Sequence, residues 1–188
     1  MDRSRSAFTL IEILVVVAVA AALSALAITY TGIGRNEVAL TIEESKIAQF
    51  ILQAKSLSIA TYGTAGTGIC GYGFLIDPQA QTYSIFAYAP SGAPPCPDAA
   101  QVTGLSAGSE QSSTPGTWQV PVAQGVKIVP GAGALDAVLF YPPDPTVLFS
   151  TDGVSFASAP TGLSINLATV DGKNTATLTV NPEGQVTF

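Results

Sequence analysis

Residues 8–28 read FTLIEILVVVAVAAALSALAI, an apolar run of 21 residues interrupted by one charge, Glu12. A helix rising about 1.5 Å per residue crosses a hydrocarbon core of about 30 Å over this length, so a membrane-spanning helix is expected. Arg3 and Arg5 precede the run, and a basic flank held on the cytoplasmic side places everything after Thr29 outside. A cleavable secretory signal has a shorter apolar core, about 7–15 residues, and ends at a small-residue cut site. Here the run passes instead into a second helical pattern.

That second pattern places Ile47, Phe50, Ile51, Ala54, Leu57 and Ser58 on one face, with Glu43, Glu44, Gln49, Gln53 and Lys55 mostly elsewhere. One long helix is expected, anchoring in its first half and packing in its second. Gly32 and Gly34 lie between the halves, each costing about 1 kcal/mol relative to Ala in a helix interior. They predict a bend or local unwinding, with a short loop at the membrane surface as the other reading.

After Ala60 the pattern changes to short runs of β-branched and aromatic residues separated by turn clusters. Strands are expected at 69–76, 82–88, 117–122, 125–129, 137–141, 146–149, 163–170, 175–180 and 185–188. Asp77-Pro78, Asp152-Gly153, Asp171-Gly172 and Pro182-Glu183-Gly184 supply the reversals. The expected fold class is α+β: an antiparallel sheet whose apolar face is covered by the helix stripe, giving one core. Residues 89–115, rich in Pro, Ser, Gly and Ala, read as a long loop.

Composition narrows the function. The chain of 188 residues carries a formal charge of -6, and beyond Thr61 only Lys127 and Lys173 oppose eight acids. Nucleic acid is not an expected partner, because phosphate binding draws its affinity from Lys and Arg. His is absent, which removes the usual general base and the commonest metal ligand. Cys70 and Cys96 both follow the apolar run, where an oxidising compartment would favour pairing them. The bridge would be worth roughly 3 kcal/mol in the chain-entropy model, and two buried free thiols are the alternative.

No constellation for catalysis stands out, and no enzyme, cofactor or metal is expected. Asp136, Asp144 and Asp152 recur at a spacing of eight but read as solvated turn acids rather than a glycosidase pair. Asp152-Gly153 and Asp171-Gly172 could lend oxygens to calcium, yet no EF-hand spacing is present and turn formation accounts for both. Trp118 and the tyrosines read as core.

Glu12 is the informative residue. An acid in an apolar segment costs about 2.5–3.5 kcal/mol at mid-membrane, so it has a partner or a function unless it snorkels to the interface or is protonated. The residues Ala7-Phe8-Thr9-Leu10-Ile11-Glu12-Ile13-Leu14-Val15-Val16 resemble the N-terminal motif of type IV pilins and type II secretion pseudopilins. The chain's ending, from Thr175 to Phe188, is similar to the terminal hairpin of the GspH/FimT minor pseudopilin branch.

The resemblance implies a prepilin leader over 1–7, a transmembrane and assembly helix over 8–31, an amphipathic helix over 32–61 and a β-rich domain over 62–188. It implies that prepilin peptidase cuts between Ala7 and Phe8 and methylates the new amine of Phe8. Glu12 would pair with that amine on a neighbouring subunit, setting the axial register of a filament. Its partners would be the peptidase, other pilin or pseudopilin subunits, an inner-membrane assembly platform and membrane lipid. Ala7 stands where the family usually has Gly, and Thr29 about where many members carry a helix-bending Pro. A membrane-anchored extracytoplasmic binding module, or an adhesin-type pilin, is the competing reading.

Overall fold

The computed structural model describes residues 10–61, 68–90, 96–102, 119–142 and 146–188, with the side chains of 27–34, 61 and 101 outside that description. Ala, Leu and Val dominate the start of the chain and no proline occurs before Pro78. Nothing therefore removes a backbone donor, and Leu10–Thr61 form one helix of 52 residues, α1. It passes through Gly32 and Gly34 as helix, so the loop reading there does not hold: two glycines weaken a helix without breaking it. The chain divides into two units, Met1–Val38 and Ala39–Phe188.

In the second unit the strands are β1 Gly71–Asp77, β2 Thr82–Tyr88, β3 Val120–Pro121, β4 Val126–Val129, β5 Ala137–Tyr141, β6 Thr146–Ser150, β7 Leu163–Thr169, β8 Thr175–Val180 and β9 Val186–Thr187. Each falls within a segment expected from β-branched and aromatic runs or overlaps it closely. All the strand pairs are antiparallel, but they make two sheets rather than one, ordered β3-β2-β1-β5-β6 and β4-β7-β8-β9.

The division has a local cause at Gln81, which takes a left-handed backbone (φ 53°) in the β1–β2 turn. Its side-chain amide accepts from Ile128 N–H at 2.8 Å and donates to Ile128 C=O at 3.1 Å. The amide thus occupies hydrogen-bonding groups of β4 that a further strand would use, and it links the hairpin to the second sheet. Alternation in a sequence tells which face a residue takes, not which strand stands beside it.

α1 closes the core from Leu40 onward. Ile47, Ile51 and Ala54 are fully buried with Phe74, Val138 and Phe140 of the first sheet and Ile165, Leu167 and Leu178 of the second. The expected stripe is present, with Phe50 edge-on to Tyr83 at 5.1 Å between centroids. Two polar ties fix it: Ser58 Oγ donates to Phe140 C=O at 2.6 Å, and Lys55 Nζ donates to Glu183 C=O at 2.7 Å in the β8–β9 turn.

The first sheet is apolar on both faces. Leu139, Tyr141, Phe86, Tyr88, Leu148 and Cys70 form a second buried cluster with Phe156 and Val102. Its residues alternate along β2 and β5 with those of the main core, as a two-layer burden on one sheet requires. A single core was expected, and the structure has two.

Gly73 is fixed by that packing. A Cβ there would lie 2.2 Å from the Phe86 ring and 2.6 Å from the Val138 carbonyl oxygen. Gly73→Ala should destabilise the β domain by about 1–3 kcal/mol, read as a lower urea midpoint at unchanged slope. An unchanged midpoint would show that β1 has room the packing denies.

Candidate functional site

From Leu10 to Leu26 the described side chains of the first unit are mostly apolar and all exposed. Leu10, Ile11, Ile13 and Leu14 are exposed, as are Val15, Val16, Val17, Val19, Leu23 and Leu26. Ser24 Oγ returns its proton to Ala20 C=O at 2.8 Å, so this hydroxyl adds no open donor to the surface. Among the described residues no helix is long and apolar enough to cross a membrane. The described side chains of this run stop at Leu26, whereas the sequence stays apolar through Ile28.

Glu12 lies in the first described turn of α1. It is exposed, flanked by Ile11 and Ile13, and has no ion-pair partner among the described residues. The cut site expected at Ala7 and Phe8 lies outside the described residues.

Glu43 makes the opposite arrangement on the same helix. It was expected away from the packed face, yet it is 0% exposed. Tyr83 Oη donates to its Oε1 at 2.9 Å and Lys46 Nζ donates to its Oε2 at 3.4 Å. Position 43 falls one turn before Ile47, on the packed stripe, and the carboxylate is tolerated there because a tyrosine from β2 reaches it. The spacing to Ile47 was the available signal; the partner, 40 residues away, was not visible in sequence.

The remaining candidates resolve locally. Cys70 and Cys96 form a disulfide with Cα atoms 5.5 Å apart. Asp152 accepts from Val154 N–H at 2.8 Å, Ser155 N–H at 2.7 Å and Ser150 Oγ at 2.8 Å. Those bonds hold its carboxyl well below the usual range. Asp136 is pushed upward by burial and then by the nearby Asp152 charge. Asp171 accepts from Thr169 Oγ1 and Lys173 N–H, again as a turn acid. Asp144 and Trp118 lie outside the described residues. Among the described residues no group of three or more His, Cys, Asp or Glu could hold a metal.

The distinctive functional feature is therefore the N-terminal helix, and residues 2–28 match the family model described as the prokaryotic N-terminal methylation motif. The chain carries a prokaryotic N-terminal methylation motif. No curated protein matches it by sequence. A solved structure of the minor pseudopilin EpsH from the Type 2 Secretion System of Vibrio cholerae aligns with TM-score 0.43 and 14% identity, over 79% of this chain and 94% of that one. The match spans the Phe8–Glu12 spacing and the apolar run together, and the described side chains within it, from Leu10 to Leu26, are exposed.

Two buried tyrosines of its β domain set an alkaline limit. Burial, then the Tyr88 and Asp98 charges, pushes Tyr141 up to about 12. Tyr83 is raised as well, by burial first and then by the hydrogen bond and charge of Glu43. Unfolded tyrosines ionise near pH 10, so this stabilisation is complete below about pH 10 and is lost as pH rises through about 12. Tyr83→Phe should lower stability at neutral pH by about 1–3 kcal/mol, because Glu43 keeps only Lys46. Its urea midpoint should fall less than the wild type's between pH ~7 and ~11; equal slopes would mean that Tyr83 contributes nothing to the alkaline loss.

Proposed function

We propose that this protein is a structural subunit of a type IV pilus or type II secretion pseudopilus, held in a membrane by residues 8–31 and assembled through them. The carrying observation is the methylation motif over residues 2–28 on a helix whose apolar side chains are exposed. Exposed apolar surface of this extent is stable only in lipid or against other apolar helices, and a filament subunit meets both in turn. The leader faces the cytoplasm and the β domain lies outside, as Arg3 and Arg5 favour. The disulfide suits that oxidising side.

Processing frees the amine of Phe8 four positions before Glu12. The ammonium of one subunit then meets the Glu12 carboxylate of a neighbour. In a low-dielectric helix bundle that pair attracts strongly, while either charge alone is penalised, so only one axial offset satisfies both. Prepilin peptidase, companion subunits, an inner-membrane assembly platform and lipid are the partners, and no step calls for a catalytic group. A minor-subunit role in the GspH/FimT branch is the finer reading. It draws on the terminal hairpin, in which Thr179 and Val180 pair with Thr187 and Val186 and Asn181 Oδ1 accepts from Gln185 N–H at 2.7 Å.

Mass analysis of the membrane-extracted protein should find a chain beginning at methylated Phe8. A chain retaining Met1 would sink the assembly reading in favour of a simple tether. Glu12→Ala and Glu12→Leu should both insert in the membrane and be processed, yet enter filaments at least about tenfold less well, as loss of one desolvated ion pair implies. Normal incorporation of both variants would remove Glu12 from assembly.

A further inference from the structure

The groove that α1 fills is lined by apolar side chains from both sheets, among them Phe74, Val138 and Phe140 of the first and Ile165, Leu167 and Leu178 of the second. Apolar contact alone does not tell such a groove which apolar helix to take. Each chain carries two candidates. Glu43, Ile47, Ile51, Ala54 and Ser58 mark the packed face, and Glu12, Val16, Ala20, Leu23 and Ala27 repeat the same steps 31 positions earlier. Val16 and Leu23 are exposed.

The difference between the two segments is polar. Tyr83 Oη donates to Glu43 Oε1 at 2.9 Å, and both residues are buried. Ser58 Oγ donates to Phe140 C=O at 2.6 Å, and Lys55 Nζ donates to Glu183 C=O at 2.7 Å.

We propose that Glu43, Lys55 and Ser58 determine specificity: they make the groove take this segment of α1 and refuse the apolar segment Leu10–Leu26 of a second copy. The refusal comes from polar groups left without their partners. Within residues 10–26 only Glu12 and Ser24 are polar. With Glu12 set on Tyr83, Ala27 stands at the place of Ser58 and Ser24 at the place of Lys55, so the Phe140 and Glu183 carbonyls lose these donors. With Ser24 set on Tyr83, Arg35 arrives at the place of Ala54, which is fully buried. Any other residue of 10–26 set there withdraws the acceptor from a tyrosine that is 1% exposed. The inference does not rest on the filament reading, since it needs only two copies within reach.

The test uses the full-length chain with photo-leucine in place of leucine, as an equal mixture of nitrogen isotope-labelled and unlabelled copies in detergent micelles, with cross-links mapped by mass spectrometry. Leu167 and Leu178 report what occupies the groove. In the wild type they should cross-link to residues 40–58. In a variant combining Glu43→Met, Tyr83→Phe and Ser58→Ala, cross-links between chains to residues 10–26 should rise at least about tenfold. Tyr83→Phe alone should shift the ratio in the same direction by a smaller factor. Cross-linking confined to residues 40–58 in the combined variant would mean that apolar packing alone selects the occupant and would overturn the proposal. So would a combined variant that does not fold, since the polar groups would then hold the groove together rather than choose what fills it, and so would an unchanged ratio in Tyr83→Phe.

Discussion

Exposed apolar surface from Leu10 to Leu26 governs the N-terminal part of the molecule. From Leu10 to Leu26 the helix presents leucine, isoleucine and valine on every side. Hydrophobic burial scales with area, and this much exposed area needs a second apolar phase. Within α1 the solution changes at Leu40, where side chains begin to disappear into the β domain. The same secondary structure thus serves two environments, and no proline or capping residue is spent on separating them.

The β domain meets its own constraint at the first sheet, which must bury both faces. Alternation along β5 makes this concrete: Val138 and Phe140 enter the main core, and Ala137, Leu139 and Tyr141 enter the second cluster. One face is covered by a helix held by Ser58 and Lys55, the other in part by an irregular segment with a covalent tie. Helical cover brings its own satisfied backbone; irregular cover does not, which is why a cross-link is found on that side. Gly73 marks how close the second face is packed, since the Phe86 ring occupies the space of its missing side chain.

Much of this was legible beforehand. Strand positions followed from short β-branched runs between Gly and Pro turns, and the packed helix face from the spacing of Ile47, Ile51 and Ala54. The unread parts are all long-range. Two sheets replaced one because Gln81, in a turn, reaches across to Ile128. A second core arose because β5 is apolar at every position, a pattern that says buried on both faces without naming the cover. At the N-terminal helix, residue types and spacing were fully readable, since they act through local sequence; the structural setting of Ala7 and Phe8 lies outside the described residues.

Glu12 and Glu43 show why one acid was noticed and the other passed over. Glu12 interrupts an apolar run, so its cost is plain in the sequence; Glu43 has polar neighbours in Thr41, Glu44 and Ser45 and reads as ordinary surface. The fold reverses their standing. Glu43 is the buried one, and its desolvation is offset inside the chain by Tyr83 and Lys46. Glu12 stays exposed on a surface that the hydrophobic effect drives out of water. Once that surface is covered, its carboxylate needs a positive partner or a proton. The Phe8 amine of a neighbouring subunit, in the proposed filament, supplies the former at the depth where the penalty would otherwise fall.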